Sequence, residues 1–356
     1  MAELAGVSIG TVDRVLHNRP GVAEETRKKI LKLIEELDYK PNIIARRLVS
    51  KKKYVFAILI PEPTEDNPYW SLHEPGISKA EAELSPLGIF VERFLYDQGN
   101  PKSYLSQAKK IINGNYDAVI AVPFFKEESF VLLDHCKSKN IPYIFFDTNL
   151  LLDKYSPLSY IGQDAFQSGQ LAGNLFSYIL GKDDVVLAVS INAVKKADNH
   201  VNYLQREEGL KKFAEKNKAF NVKLFHFSNP ADKSDNDLEE KLLNAIKENK
   251  NIKAVFVTNS RAYRVAKVLE KSKINDLTVL GYDLVEANVD YMKKGYIDFL
   301  ISQEPYLQGY RGIMSLYEHL ILNQKVSKGN PVPITVIMPE NLDYYLSGNG
   351  QGHLPM

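Results

Sequence analysis

The stretch YVFAILIP, residues 54–61, decides the fold. It is a continuous apolar run of strand length, and such runs are typical of strands buried on both faces of a parallel sheet. Amphipathic stretches such as PKSYLSQAKKIING (101–114) separate it from later runs. This alternation predicts an α/β fold with right-handed crossovers. Seven further runs follow: IFVERF (89–94), YDAVIAV (116–122), IPYIFFD (141–147), VVLAVSI (185–191), NVKLFHF (221–227), IKAVFVT (252–258) and LTVLGYD (277–283).

The number of strands favours two doubly wound halves over one very wide sheet. We expect one lobe to use about 54–159 and 297–322, and the other about 160–294 and 326–345. The chain would cross between them near Tyr160, Lys294 and Asn323. Residues 346–356 look like a loose tail.

The composition is that of a soluble protein with two or three domains. The chain has 356 residues, of which 44% are hydrophobic and 25% charged. No apolar run reaches the ~18 residues that span a bilayer, and the N-terminus shows no signal-peptide pattern. The single cysteine, Cys136, excludes an internal disulfide and fits a reducing compartment. We therefore expect a cytoplasmic protein.

The first 53 residues differ in charge from the rest of the chain. They hold 12 Lys/Arg against 7 Asp/Glu, a net charge of +5, which leaves −4 for the remainder of a chain with a total of +1. A basic head on a mildly acidic body indicates a polyanionic partner. A basic solvated surface is the alternative.

The head itself is predicted to contain three short helices. Gly6 ends the first helix as a C-terminal cap, and Ser8 caps a second helix over roughly residues 9–16. The third helix starts at AEETRKK, and its apolar residues Ile30, Leu33, Ile34 and Leu37 form one stripe that faces a core. The segment NIIARRLVSKKK (42–53) is then a short basic segment, either a linker or a marginal helix, and residues 49–53 are expected to be a basic linker.

Residues 2–48 resemble the headpiece of the LacI–GalR family of bacterial transcription regulators. The resemblance rests on AGVS, TVDRVLHN, ETR, EELDYKPN and ARRL. The body resembles the family's effector domain, which is similar to periplasmic sugar-binding proteins of type I, through DNPYW, GQLAGN, REEG, VTN, GYDLV and ISQEP. The resemblance implies a helix-turn-helix head on a two-lobed α/β body, and a homodimer that binds operator DNA.

The resemblance also assigns residues to DNA contacts. The recognition helix of the family reads bases at the positions of Ile9, Gly10 and Arg14. Arg14 could make a bidentate contact to guanine, with two N–H groups of its guanidinium. Ser8, Thr11 and Asn18 are placed for phosphates. In the hinge segment, Leu48 matches a residue that wedges into the minor groove, although simple packing is its alternative. The DNA contacts expected in all are Ser8, Ile9, Gly10, Thr11, Arg14, Asn18, Asn42, Arg46 and Leu48.

The head departs from the family pattern at three places. Met1 lies within the first helix, which is therefore expected to be truncated to barely one turn. Asp13 replaces a small hydroxyl residue and opposes phosphate binding unless Arg14 or Arg19 pairs with it. Ala23 replaces the serine that caps the third helix, and losing a cap costs about 1 kcal/mol.

The resemblance implies an effector cleft between the two lobes, and most of the matching residues lie just after strands, where open α/β sheets bind ligands. Carboxylates accept hydroxyl hydrogen bonds, Arg donates two in parallel, amides do both, and aromatic rings cover the apolar face of a sugar. Val122 and Thr148 stand where sugar binders often carry Asn and Arg, so the effector could also be a cyclitol or a larger glycan fragment. The ligand-binding residues expected are Asn67, Tyr69, Trp70, Asp147, Arg206, Asn259, Asp283 and Gln303.

Three of these residues have a structural alternative. Trp70 could be plain core, Asp283 could cap the helix that follows it, and Arg206 could form a surface ion pair.

Enzyme signatures are absent from the sequence. It lacks a dinucleotide-binding glycine motif, a phosphate loop, a nucleophile elbow and a zinc-protease motif. His135 and Cys136 are best explained as an exposed and a buried position of one helix. We therefore expect no catalytic residue, no metal site and no cofactor.

Three functions are weighed on this basis. The leading hypothesis is a ligand-responsive DNA-binding regulator that is controlled by a sugar or polyol. A periplasmic-type solute-binding protein is the alternative, and a sugar-modifying enzyme lacks a supporting constellation.

Overall fold

A computed structural model describes residues 2–16, 19–37, 52–150, 154–192, 201–228 and 235–349. The chain divides into two compact units, a head (Met1–Lys51) and a body (Lys52–Met356).

The described part of the head contains three helices, α1 (Ala2–Ala5), α2 (Ile9–Leu16) and α3 (Glu24–Glu36). Their apolar residues Ala5, Val12, Val15 and Ile30 pack into one small buried core. The helical spacing places these residues on inward faces, and Leu33 and Ile34 pack against them as predicted. The prediction of Leu37 for the same stripe is wrong: it lies just after the last residue of α3 and is 51% exposed.

The first lobe of the body has a sheet in the order β11-β5-β4-β3-β1-β2, with all neighbours parallel. Helix α12 packs against α4 and against the sheet. The strands of the lobe are β1 (Tyr54–Pro61), β2 (Ile89–Tyr96), β3 (Ala118–Ala121), β4 (Tyr143–Phe146), β5 (Ser159–Gly162) and β11 (Gly329–Pro331), and its helices are α4 (Glu74–Leu84), α5 (Pro101–Asn113), α6 (Lys126–Lys139) and α12 (Pro305–Leu320).

The second lobe repeats this arrangement in the order β12-β10-β9-β8-β6-β7. Its neighbours are parallel except for β12, which runs antiparallel to β10. The strands are β6 (Val185–Asn192), β7 (Asn221–Ser228), β8 (Ile252–Val257), β9 (Thr278–Tyr282), β10 (Phe299–Ser302) and β12 (Thr335–Ile337), and the helices are α7 (Ala165–Ser177), α8 (Val201–Asn217), α9 (Asp235–Glu248), α10 (Ala262–Lys271), α11 (Glu286–Lys293) and α13 (Pro339–Tyr344).

The predicted α/β fold with two doubly wound halves is confirmed, and all eight predicted runs contain strands. Four strands that the sequence analysis did not predict complete the sheets: β5, β10, β11 and β12. Each has only three or four residues, which is too short for a periodic signal.

The predicted lobe boundaries need correction. Strand β10 pairs with β9 and β12 in the second sheet, so residues 299–302 do not belong to the first lobe. The first crossing follows β5 at Gln163, close to the predicted Tyr160. The other two follow β10 at Gln303 and β11 at residues 332–334, rather than lying near Lys294 and Asn323. Tertiary pairing decides membership here because these strands are too short to carry a lobe-specific pattern.

Candidate ligand cleft and nucleic-acid interface

The carboxyl ends of both sheets border one polar cleft, and residues from both lobes and from a crossing line it. This is the edge at which open α/β sheets bind ligands. The lining residues are Asn67, Tyr69, Trp70, Gln98, Phe124, Asp147, Thr148, Asn202, Tyr203, Arg206, Asn259, Ser260, Arg261 and Gln303.

Asp147 forms the acidic part of the first-lobe wall. It directly follows β4 and has a left-handed backbone, with φ of 62°. Its carboxylate accepts hydrogen bonds from the hydroxyls of Tyr69 at 2.6 Å and Thr148 at 3.0 Å. Burial raises the pKa of Asp147, while these two bonds and Arg206 act in the opposite direction. Both of its oxygens can accept further bonds from ligand hydroxyls.

Asp283 occupies the matching place after β9 in the second lobe, with φ of 64°. Its Oδ1 accepts the backbone N–H of Gln303 at 3.0 Å, and its Oδ2 accepts Ser260 Oγ at 2.7 Å and Gln303 Nε2 at 2.6 Å. Burial raises its pKa to about 6. The N-cap position of the next helix, α11, is Val285, and no side chain caps this helix, so Asp283 is not its cap. Asp283 lies behind the lining and positions Gln303 and Ser260.

Arg206 is the buried cation of the cleft, with an exposed fraction of only 1%. Its Nη1 donates to the backbone oxygen of Thr258 at 2.7 Å, and its Nη2 donates to Gln303 Oε1. The guanidinium stacks 3.8 Å from the centre of the Tyr282 ring. Because it is buried and makes these contacts, Arg206 is not a surface ion pair.

Arg261 brings a second guanidinium to the same cleft. Its Nη1 donates to the backbone oxygen of Ile191 at 3.3 Å, and its Nε donates across the cleft to the backbone oxygen of Asp66 at 3.3 Å. Asn259 supports it, since Asn259 Oδ1 accepts the Arg261 N–H at 3.2 Å while Asn259 Nδ2 donates to Ile191 O at 2.7 Å. The lining thus carries two cations and one acid, Asp147.

Aromatic side chains cover the first-lobe side of the cleft. Trp70 Nε1 donates to Gln98 Oε1 at 3.1 Å, and Asn67 Nδ2 donates to the same oxygen. Trp70 stacks on His73 with a centroid distance of 5.4 Å. Complete burial of His73 lowers its pKa to about 3, so this ring is a neutral support under Trp70. Trp70 is therefore a cleft residue with a polar contact, not plain core.

The two lobes are in a closed arrangement. Asn202 Nδ2 donates across the cleft to the backbone oxygen of Asp147 at 2.9 Å, and Arg261 and Tyr263 both reach Asp66 O. The space left between the lining side chains is about 30 Å³, far below the roughly 300–1,000 Å³ of pockets for drug-sized ligands. A sugar ring would require these contacts to separate.

Seven of the eight predicted ligand-binding residues line the cleft together, and Asp283 lies directly behind them. The sequence analysis missed several lining residues. Gln98 follows β2 and Arg261 follows β8, so the strand-end rule would have found both. Asn202 and Tyr203 lie at the start of α8, for which that rule has no signal. The complete set of missed residues is Gln98, Phe124, Thr148, Asn202, Tyr203, Ser260 and Arg261.

In the head, the turn before α2 follows the prediction. Gly6 has φ of 68°, and the N–H groups of Gly6 and Val7 donate to Glu3 O and Ala2 O, the paired bonds of a Schellman cap. Ser8 Oγ accepts the Thr11 N–H at 3.1 Å. This turn orients α2 relative to the helix before it, as a helix-turn-helix requires.

Helix α2 presents an exposed polar face. Ser8, Ile9, Gly10 and Arg14 are exposed, and Ile9 is 81% exposed although it is apolar. Thr11 is half-buried and bonds to Ser8 Oγ at 2.9 Å. The remaining predicted DNA contacts, Asn18, Asn42, Arg46 and Leu48, lie outside the described residues.

The structure shows the surroundings of Asp13 and Ala23, two of the three departures from the family pattern. Asp13 Oδ2 pairs with Arg19 Nη1 at 3.3 Å, so the acid on α2 is offset by a neighbouring cation. Ala23 precedes α3 without any side-chain cap. Helix α1 has four residues, the short length expected.

Other types of site were also sought. Among the described residues, no group of His, Cys, Asp and Glu side chains could hold a metal ion. Cys136 is fully buried and burial raises its pKa to about 12, which fits the buried position expected for it. No helix in the described part of the chain is long and apolar enough to cross a membrane.

Fold and cleft together define the class: a two-lobed α/β binding protein with an added helix-turn-helix head. Residues 56–325 match the family model of the periplasmic binding protein domain, and residues 1–42 match that of bacterial regulatory proteins of the lacI family. The first match covers about three quarters of the chain. The chain therefore belongs to the periplasmic binding protein domain family and carries a lacI-family head.

Individual relatives agree with this assignment. Catabolite control protein A from Streptococcus mutans is 46% identical over 77 residues, 22% of each chain. The NTD biosynthesis operon regulator NtdR from Bacillus subtilis is 29% identical over 174 residues, 48% of each chain. These matches span less than half the length of either curated relative. A crystal structure from Bacteroides fragilis, assigned as a LacI transcriptional regulator, is 28% identical with a TM-score of 0.74, covering 83% of this chain and 100% of the other.

Proposed function

We propose that this protein is a sequence-specific DNA-binding transcription regulator whose affinity for its operator is controlled by a small sugar or polyol bound between the two lobes. The observation that carries the proposal is the combination in one chain of a lacI-family head with a polar cleft built from both lobes. A solute-binding protein for transport has no use for such a head. The protein binds its ligand without turnover in this proposal.

The lining chemistry supports a polyhydroxylated effector. Asp147 accepts hydrogen bonds, Arg206 and Arg261 donate them, and Asn259 and Gln303 can do both. Tyr69 and Trp70 offer ring faces for the apolar side of a sugar. This set can satisfy a ring of hydroxyl groups that would otherwise be buried without partners.

The response to the effector is a population shift between lobe arrangements. An effector that bridges the walls favours an arrangement in which the contacts across the cleft have separated enough to admit it, and it can shift the equilibrium only by its difference in affinity for the two states. We propose that the protein acts in the cytoplasm as a homodimer, since two heads related by a two-fold axis match a pseudo-palindromic operator. A change in lobe angle would then alter the spacing of the heads.

The effector half of the proposal is tested by thermal unfolding of the full chain with pentoses, hexoses, cyclitols and their phosphates. A ligand at 100 times its Kd should stabilise the protein by about 2.7 kcal/mol. The emission of Trp70, the single tryptophan, gives a second readout inside the cleft. Arg206→Met should abolish the response, and Lys271→Met, at an ion pair on α10 with Glu239, should preserve it. Absence of a response across the panel would refute a simple sugar effector.

The DNA half is tested by selecting binding sites from random duplexes and measuring affinity with and without the effector. Arg14→Ala should weaken binding to the selected sequence by tenfold or more, because a bidentate base contact is worth about 1–3 kcal/mol. Effector binding should remain unchanged in that variant. If no sequence is enriched and the protein still binds the effector, the solute-binding alternative replaces the regulator.

A further inference from the structure

A second cavity adjoins the cleft beside the chain crossings. It has a volume of about 290 Å³, whereas the closed cleft leaves about 30 Å³. We call it the hinge-side pocket. Its lining residues are Asn149, Tyr160, Gly162, Gln163, Asp164, Ala165, Val201, Asn202, Gln205, Gly329, Asn330 and Pro331.

The pocket is rich in amide side chains. Asn149, Gln163, Asn202, Gln205 and Asn330 all line it, and an amide can both donate and accept hydrogen bonds. Among the described residues that line it there is no Lys or Arg. The one charged side chain of this described lining, Asp164, accepts the N–H of Gln167 with Oδ1 as the cap of α7. This lining suits a neutral ligand with many hydroxyl groups.

One amide oxygen of Gln163, a residue of the pocket lining, is buried without a partner among the described residues. Gln163 Nε2 donates to the backbone oxygens of Ser302 at 2.8 Å and Pro333 at 3.2 Å, so it ties together the three crossing segments. These two acceptors fix which end of the amide is the nitrogen. Gln163 Oε1 is buried and has no hydrogen-bond partner within the described ranges, and such an acceptor is costly unless a ligand or water satisfies it.

The pocket and the cleft share a wall. Asn202 lines both, and its amide donates to the backbone oxygen of Asp147 at 2.9 Å. Tyr160, on the pocket side, donates its hydroxyl to the same oxygen at 2.9 Å. When the lobes separate, the Asn202 contact breaks because α8 and Asp147 belong to different lobes. Separation would thus remove the Asn202 amide from between the two spaces.

We propose that the effector is longer than one ring: a neutral glycoside or disaccharide whose first ring lies in the cleft and whose second unit lies in the hinge-side pocket. This inference rests on the proposed function and narrows its ligand class. Asn202 then contacts both units and selects for the linkage between them.

The test compares single sugars with disaccharides on the full-length protein. Glucose and galactose are titrated beside maltose, cellobiose, trehalose, lactose and melibiose, with Trp70 emission and thermal unfolding as readouts. We expect at least one disaccharide to bind ten times more tightly than its constituent monosaccharides. If monosaccharides bind as tightly as every disaccharide, the inference is overturned while the proposed function stands. If no sugar binds, the sugar effector of the proposed function fails as well.

Two variants locate the second unit. Asn330→Phe fills the pocket from an edge strand that favours aromatic residues, and Gln205→Leu removes one amide from α8. Both should lower disaccharide affinity about tenfold and leave monosaccharide affinity unchanged. Asn217→Leu, exposed at the far end of α8, is the matched control. Equal loss of both classes of sugar would show that the pocket holds no second unit.

Discussion

At the residue scale, Asp147 and Asp283 share one backbone conformation at matching places in the two lobes. Each follows the fourth strand of its sheet in a left-handed conformation, and each backbone N–H donates to the neighbouring strand, at Ile161 O and Ile301 O. This conformation costs a non-glycine residue on the order of 1 kcal/mol, although Asp tolerates it better than most. The turn directs each side chain away from its sheet edge. Asp147 then lies in the cleft lining and Asp283 lies behind it.

The raised pKa of Asp283 predicts a pH-dependent stability. Burial raises this pKa to about 6, above the ordinary value near 4. The contribution of Asp283 to stability is therefore fully present below about pH 4 and is lost as the pH rises to about 6, a change of roughly 3 kcal/mol. The free energy of unfolding of the wild type minus that of Asp283→Asn should fall over this range. Urea denaturation at a series of pH values measures it.

Asp290→Asn is the control for this series, because Asp290 is an exposed aspartate on α11. The same exchange of carboxyl for amide at this exposed position shows what the substitution itself does to stability at each pH. A flat difference for Asp283→Asn would mean that this carboxyl titrates at its ordinary pKa in the folded protein.

At the element scale, the contact between α7 and α8 places the polar residues of the second lobe. A Cβ at Gly169 would overlap the backbone oxygen of Arg206, and one at Gly209 would overlap that of Phe166. The two helices therefore pack backbone against backbone, which only glycine allows at these positions. Helix α8 carries Asn202 and Arg206, so this contact sets the distance of both from the first lobe.

Gly169→Ala should destabilise the body by about 2 kcal/mol, because the clash is with backbone and forces the helices apart. Helix propensity alone would favour Ala by about 1 kcal/mol. Chemical denaturation measures the change. Gly312→Ala on α12 is the matched control, since its nearest neighbour is the Ile120 side chain at 3.4 Å, and it should change stability by less than about 1 kcal/mol. Equal effects of the two substitutions would refute the backbone contact.

The uncapped start of α3 gives a prediction for the head. Ala23 has an extended backbone (φ −59°, ψ 143°) and no side-chain cap, so a serine there could accept a free N–H of the first turn. Ala23→Ser should stabilise the head by about 1 kcal/mol. Hydrogen exchange of peptides from 24–36 should slow about fivefold. Ala23→Val, which lacks an oxygen, should give no protection, and protection by both would exclude capping as the cause.

At the scale of the whole molecule, contacts on two sides of the cleft hold the lobes closed. Arg261 and Tyr263 reach Asp66 O on one side, and Asn202 reaches Asp147 O near the crossings. The three crossings are themselves tied by Gln163. Opening thus requires the loss of a few hydrogen bonds, each worth about 1 kcal/mol net, so the two arrangements are close enough in energy for a ligand to select between them.

Arg261→Met should favour the open arrangement, because it removes a bond across the cleft while keeping the length of the side chain. Trp70, buried at 4% exposure, would then become more accessible. We expect a red-shifted emission and at least twofold stronger acrylamide quenching than in the wild type. Lys271→Met on the same helix serves as the control and should match the wild type. Unchanged quenching in Arg261→Met would show that this contact does not hold the lobes together.

The local sequence pattern was sufficient to predict much of the secondary structure of this protein. The eight strands that lie within the long apolar runs, the helices α2 and α3, and the Ser8 cap could all be predicted because each is specified by neighbouring residues. Seven cleft residues were also found from the sequence, partly from family resemblance. The strand-end rule supports most of them, since parallel strands bring their carboxyl ends to one edge.

The tertiary structure alone decided what depends on pairing between distant segments. Strand β10 joined the second sheet because β9 and β12 pair with it, and its four residues carry no sign of that choice. Asp283 positions Gln303 through hydrogen bonds, and Asn202 lines both the cleft and the hinge-side pocket. Both arrangements depend on segments that are far apart in the chain. Hydrogen bonds across such distances depend on the fold as a whole, which no local pattern encodes.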